Sequence, residues 1–215
     1  MTLAVFLRGV NVGGHRTFRP SALVGELRGH GLVNIGAAGT FVAKTALGRA
    51  RLKADILRRL PFDAAVMICD GREVLQLVSA DPFADQPSGP GVTRFVSVAA
   101  KRLRPLPGVP LSLPVSGEWL LKVIALRGRF VLGLYRREMK AIQHLSRLDK
   151  VVGAPLTTRS WNTILSVARA LEARRDAQLA GHGHETLLAT GPHAHHVVGG
   201  HAHEIDAGRR EVAAA

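Results

Sequence analysis

The hydrophobic pattern divides the chain into short apolar runs and helical stripes. Residues 3–8 read as a first strand, which breaks at Arg8 into a turn holding Gly9, Asn11, Gly13 and Gly14. Pro20 then stands where a helix accepts a first-turn proline. Leu23, Val24 and Leu27 share one face of that helix, and Gly31 stops it. Leu32 to Ile35 and Thr40 to Ala43 read as strands of a hairpin about the small-residue turn Gly36 to Gly39. Thr45 offers a cap for a helix through Leu60, where Leu52, Ile56 and Leu60 recur at i, i+4 and i+8. Arg49, Arg51, Lys53, Arg58 and Arg59 cover its other sides. Ala64 to Ile68 is a further strand, and Arg72 to Ser79 a short helix. The order strand–helix–strand–strand–helix–strand is the split βαβ, or ferredoxin-like, arrangement.

Three prolines and two glycines between Asp81 and Gly91 mark a boundary. Beyond it, Thr93 to Ala99 reads as a strand, followed by a loop holding Pro105, Pro107, Pro110 and Pro114. Trp119 to Leu126 and Phe130 to Tyr135 form a second hairpin about Arg127-Gly128. A helix from Glu138 to about Val152 precedes one from Trp161 to about Arg175. In the latter, Trp161, Ile164, Leu165, Ala168 and Leu171 make one core-facing stripe. From Asp176 the chain is rich in Ala, Gly and His with few large apolar residues, the composition of a disordered tail. The expected fold is therefore α+β with two abutting subdomains. Residues 1–80 form the ferredoxin-like one, 81–91 a linker, 92–175 a second α+β subdomain, and 176–215 a His-rich disordered tail.

Length and composition narrow the setting. The 215 residues suffice for one large domain or two small ones. No apolar run approaches the roughly 20 residues that span a bilayer, so no membrane association is expected. Arg8 interrupts the N-terminal apolar stretch too early for a secretory signal. The single cysteine, Cys69, allows no internal disulfide and sits in an apolar run, so a cytoplasmic location is expected. Charge is uneven: residues 1–175 hold 27 Lys and Arg against 11 Asp and Glu, whereas residues 176–215 hold 2 against 5. So basic a body attracts polyanions, which brings in a phosphate-bearing small molecule or nucleic acid as partner. The Arg-, Ala- and Gly-heavy composition also fits GC-rich codon usage, which raises the pI without any partner.

Three segments carry a family resemblance. Leu7-Arg8-Gly9-Val10-Asn11-Val12-Gly13-Gly14 looks like the signature start of the domain-of-unknown-function 1697 family of bacterial proteins. Asp81-Pro82-Phe83 resembles that family's Asn-Pro-Phe, and Thr157-Thr158-Arg159-Ser160-Trp161-Asn162-Thr163 its closing Thr-Thr-Arg-Asn-Trp-Asn-Thr. The matches keep the family's order and span roughly residues 3 to 170. Two departures are Ala38-Gly39-Thr40, where the family has Ser-Gly-Asn, and Ser160 in place of Asn. The family brings no established activity, so the resemblance bounds the fold more than the function.

Two groups of residues are candidate ligand contacts. Backbone N–H groups of the opening turn at Gly9, Asn11, Gly13 and Gly14 can line an anion site, with Arg8 and Arg16 adding charge. The turn is neither a Walker loop nor a dinucleotide fingerprint, and a purely structural turn needs the same glycines. Arg159 and Asn162 lie near a helix N-terminus, where an anion is favoured. A capping motif in which Ser160 or Thr158 caps that helix accounts for the same residues. If both groups serve a ligand, Arg8, Asn11, Arg159 and Asn162 line a common cleft between the subdomains.

Chemistry beyond binding has little support. His15, His30 and His144 have no evident nucleophile or carboxylate spacing, and no motif calls for a cofactor. The seven tail histidines, His182 to His203, lack a rigid spacing, so no metal site is expected. The leading expectation is a cytoplasmic protein binding a phosphate-bearing or polyanionic ligand, nucleic acid included. The alternatives are an enzyme acting on a small anionic substrate in the same cleft, or a structural or protein-interaction module.

Overall fold

The central strand of the first sheet explains why the chain opens on an unbroken apolar run. A computed structural model describes residues 1–11 and 16–187, with side chains of the last helix described through residue 177. In it β1 (Thr2–Leu7) lies between β3 (Thr40–Lys44) and β4 (Val66–Asp70), and β2 (Leu32–Asn34) pairs with the outer side of β3. All three pairings are antiparallel. With α1 (Pro20–Glu26) and α2 (Gly48–Arg59), this order β2-β3-β1-β4 is the ferredoxin-like topology the sequence predicts. Leu3 to Leu7 are all fully buried. Leu3, Val5 and Leu7 pack with Leu52 and Ile56 of α2, while Ala4 and Phe6 face a second core. Alternate side chains of a strand point to opposite faces, so a sheet covered on both faces needs apolar residues at every position.

The second core is shared between two sheets. Beyond α3 (Gly71–Ser79), five strands form a sheet in the order β6-β7-β8-β5-β9, again all antiparallel. They are β5 (Val92–Ala99), β6 (Leu111–Leu113), β7 (Leu121–Arg127), β8 (Phe130–Arg136) and β9 (Leu156–Ser160). Val96, Val98, Phe130 and Leu132 of this sheet meet Ala4, Phe6, Val42 and Met67 of the first. Val74 and Leu77 of α3 fill the same core, with Trp161, Ile164, Ala168 and Leu171 of α6 (Trp161–Leu187). Each large side chain fully buried here stabilises by about 1.5–3 kcal/mol. On the far face, Phe95, Leu121, Val123 and Val131 pack against Leu148 and Leu156. The helices α4 (Met139–Ser146) and α5 (Leu148–Val152) lead from β8 to β9.

Several elements depart from their sequence patterns. β6 lies within the proline-rich loop; as an edge strand flanked by Pro110 and Pro114 it escapes the usual exclusion of proline from sheets. β9 is a strand despite its polar Thr-Thr-Arg-Ser sequence, because non-local pairing with β5 (Val96 opposite Arg159, Ala99 opposite Leu156) decides it. The helix expected from Glu138 to Val152 breaks at Arg147, whose N–H turns back to His144 O, and α5 ends at left-handed Gly153. Thr45 does not cap α2, which starts at Gly48 after Leu47; its hydroxyl accepts from Leu47 N–H at 3.1 Å and pairs with His30 Nδ1 at 3.0 Å. α6 passes the expected end near Arg175 and runs to Leu187 through the helix formers Ala177, Gln178, Leu179 and Ala180. The remaining expected tail, residues 188–215 with His193 to His203, lies outside the described residues.

Candidate functional site

The closing motif reaches across to the opening one. Leu7, at the end of β1, accepts at its carbonyl from Thr157 Oγ1 at 3.1 Å and from Arg159 Nη2 at 2.7 Å. The same Arg159 nitrogen donates to Ala38 O at 2.7 Å in the β2–β3 turn, while Nε donates to Thr40 Oγ1 at 2.6 Å. Nη1 donates to Thr157 Oγ1 and Thr158 O at 2.9 and 2.8 Å. Arg159 is 8% exposed, its guanidinium lies 5.9 Å from the Phe6 ring centroid, and among the described residues no carboxylate is bonded to it. Burial pushes its pKa down to about 10, so it stays cationic at neutral pH. Its donors are spent on carbonyls and hydroxyls of the protein itself.

The opening turn is held with equal economy. Arg8 N–H donates to Ala65 O, and its guanidinium pairs with Asp149, which also accepts from Leu156 N–H at 3.2 Å. Asn11 sits at φ +53, one of the few side chains that tolerate the left-handed region. Its amide donates to Phe18 O and Ala37 O and accepts from Phe18 N–H. Gly9 is also left-handed, at φ +64. Gly13, Gly14 and His15 lie outside the described residues. Gly39 has both reasons to be glycine. It sits at φ +69, and an added Cβ would come 2.5 Å from Val10 Cγ2.

Arg8, Asn11 and Arg159 therefore gather around the end of β1, and Asn162 does not join them. Ser160 accepts from Thr163 N–H at 3.2 Å and so caps α6, while Trp161 turns into the core against Phe83, with ring centroids 5.0 Å apart. Asn162, exposed on the first turn, lines a groove of about 410 Å³. Its other walls come from Ser88 and Gly89, from Val92, Thr93 and Arg94 at the start of β5, from Arg137 just after β8, and from Ser160 and Trp161. Pairing of Val92 with Arg136 brings these segments together. Arg94 is half-buried and steadied by Gln86 O at 2.6 Å; Arg137 is exposed, with Nε donating to Thr93 Oγ1 at 3.2 Å. Among the described residues, no carboxylate, histidine or cysteine lines the groove. Arg94 and Arg137 carry no motif, and the one sequence signal for them is the basic pair Arg136-Arg137 ending a hairpin strand.

Residues 1–105 match the model of a family described as Protein of unknown function (DUF1697). The chain resembles that family. The matched span contains the opening signature and Asp81-Pro82-Phe83, whereas the closing motif lies beyond it. No curated protein matches the chain in sequence. In three dimensions it is similar to the conserved bacterial protein SP0830 from Streptococcus pneumoniae. The TM-score is 0.52 at 13% identity, over 79% of this chain and 98% of that one. At that identity the likeness is one of fold. Among the described residues, no helix is long and apolar enough to cross a membrane, and no three His, Cys, Asp or Glu side chains cluster as metal ligands.

Proposed function

We propose that the protein binds a small phosphate-bearing ligand in the groove at the start of α6. The observation that carries this reading is the convergence of Arg94, Arg137 and the first turn of a long helix on a groove without a carboxylate. Helix N-terminal N–H groups and the helix dipole favour an anion. Guanidiniums add bidentate, charge-assisted hydrogen bonds to phosphate oxygens. Arg137 has only its Nε occupied, so its two terminal NH2 groups are available to a ligand. The groove's volume falls within the roughly 300–1,000 Å³ of small-molecule sites. Its hydroxyls and amide supply hydrogen bonds, and its lining holds no general base, so the proposal is of binding and not of a reaction. A cytoplasmic setting is part of the same reading, supported by a lone thiol, Cys69, buried in the core.

Isothermal titration with pyrophosphate and with nucleoside di- and triphosphates tests this. Arg137→Ala should weaken binding by on the order of 10-fold or more, the worth of a charged hydrogen bond, and Asn162→Ala by less. Arg8→Ala, which opens no groove wall, should leave it unchanged. Absence of binding at millimolar ligand, or wild-type affinity in Arg137→Ala, would overturn the proposal.

A further inference from the structure

Helix α2 presents a second basic surface, made of residues separate from the groove. It carries Arg49, Arg51, Lys53, Arg58 and Arg59 and a single acid, Asp55. All five cations are exposed, while Asp55 is buried. At about 100° per residue, Leu52, Asp55 and Ile56 fall on the inward side. Arg49 and Lys53 run along one flank of the outward face, and Arg51 and Arg58 along the other. Exposed Ala50, Ala54 and Leu57 lie between the two rows.

A buried chain of hydrogen bonds steadies one of these rows. Asp55 accepts from Arg51 Nε at 2.8 Å and from Arg58 Nη2 at 2.5 Å. His30 Nε2 meets the same carboxylate at 2.9 Å, and its Nδ1 meets Thr45 Oγ1 at 3.0 Å. The side chains of Arg51 and Arg58 nonetheless remain 62% and 63% exposed. Arg59 is different, being drawn back towards Asp55 and Glu26.

Two rows of cations flanking a low ridge complement the two phosphate strands that border a groove of duplex nucleic acid. The major groove of B-form DNA is about 12 Å wide and admits a helix, whereas that of A-form RNA is too deep and narrow. We infer that α2 seats in the major groove of duplex DNA, with Arg49 and Lys53 on one phosphate strand and Arg51 and Arg58 on the other. Alanines on the ridge offer no hydrogen bond to base edges, so the contact is electrostatic and tolerant of sequence. The inference does not rest on the small-ligand groove.

Fluorescence anisotropy of the full chain with a labelled DNA duplex of about 20 base pairs tests it. Four phosphate contacts give a log–log salt slope of about −3 to −4, so affinity should fall on the order of 100-fold between 50 and 200 mM salt. The double variant Arg49→Gln/Lys53→Gln touches exposed side chains only, and its fold is checked by circular dichroism. It should make the slope shallower by about 2, while Arg137→Ala binds duplex as the wild type does. Ala54→Glu, which sets a carboxylate between the rows, should weaken binding at every salt concentration. No duplex binding at 50 mM salt, an unchanged slope in the double variant, or equal affinity for duplex RNA of the same length would overturn the inference.

Discussion

Replacing Arg159 by Met removes the guanidinium donors that reach from β9 to the first sheet while keeping much of the side chain's apolar volume. Five hydrogen bonds of 2.6–2.9 Å are lost, to Thr40 and Thr157 hydroxyls and to the carbonyls of Leu7, Ala38 and Thr158. A hydrogen bond from a charged donor is worth about 1.5–3 kcal/mol net. The sum is offset by relief of a buried cation that has no carboxylate partner, a desolvation cost of several kcal/mol. The expected net loss is therefore about 3–5 kcal/mol, the range for breaking a buried polar network. In a protein of this size that corresponds to a melting temperature lower by roughly 6–20 °C. Urea denaturation should show the midpoint falling with the slope m unchanged, and calorimetry the matching shift. Arg159→Lys should recover only part of the loss, because three ammonium donors on one nitrogen cannot reach acceptors arranged around a planar fork. A loss below about 1 kcal/mol in Arg159→Met, or wild-type stability in Arg159→Lys, would refute this account of the joint.

Two further outcomes follow from the structure. Hydrogen bonds from His30 and then Arg51 hold the Asp55 carboxyl at about 2, below its ordinary 3.8. Its contribution to stability is thus present above pH 4 and lost as pH falls through 2. A carbon-13 NMR titration should place the Asp55 midpoint near 2, and a midpoint at or above 3.8 would contradict the network. Gly133→Ala should be far more damaging than Gly128→Ala in thermal melts. A Cβ at 133 would lie 2.2 Å from Lys122 O and 2.6 Å from the Phe95 ring, whereas at the Gly128 turn it meets nothing within 4 Å. Similar melting temperatures for the two variants would show that β7 and β8 yield more easily than their pairing implies.

What the sequence revealed depended on whether local pattern or distant pairing decides an element. The run at β1, the i, i+4 stripe of α2 and the hairpin about Gly36–Gly39 are local signals, and together they yield the ferredoxin-like order that the structure shows. β9 has no such signal: its residues are polar, and only β5 on one side and the orphan carbonyls of the first sheet give them partners. The opening and closing family-like motifs bring Arg8, Asn11 and Arg159 around the end of β1. Asn162 leaves that cluster because the strand turns into a helix at Ser160, and a residue on the first turn of α6 emerges elsewhere. Arg94 and Arg137 become neighbours through the β5–β8 ladder, a relation that no local spacing encodes.

The two buried or half-buried arginines at the sheet junctions suggest what the family-like motifs are for. Leu7 at the end of β1 and Ala38 in the β2–β3 turn present carbonyls that take side-chain donors, and such groups are costly when buried without one. Arg159 supplies donors from the second sheet, and its five N–H groups in one plane fit several carbonyls at once. Arg129 does the same elsewhere on the junction, donating to Ile68 O of β4, Ala100 O after β5 and the Glu73 carboxylate of α3. With the hydrophobic core that both sheets build, these joints connect the two sheets. The residues that make the resemblance most recognisable are thus largely consumed by architecture. The binding proposed above draws on side chains the joints leave free: Arg137, Asn162 and the outward cations of α2 are exposed and take no part in them.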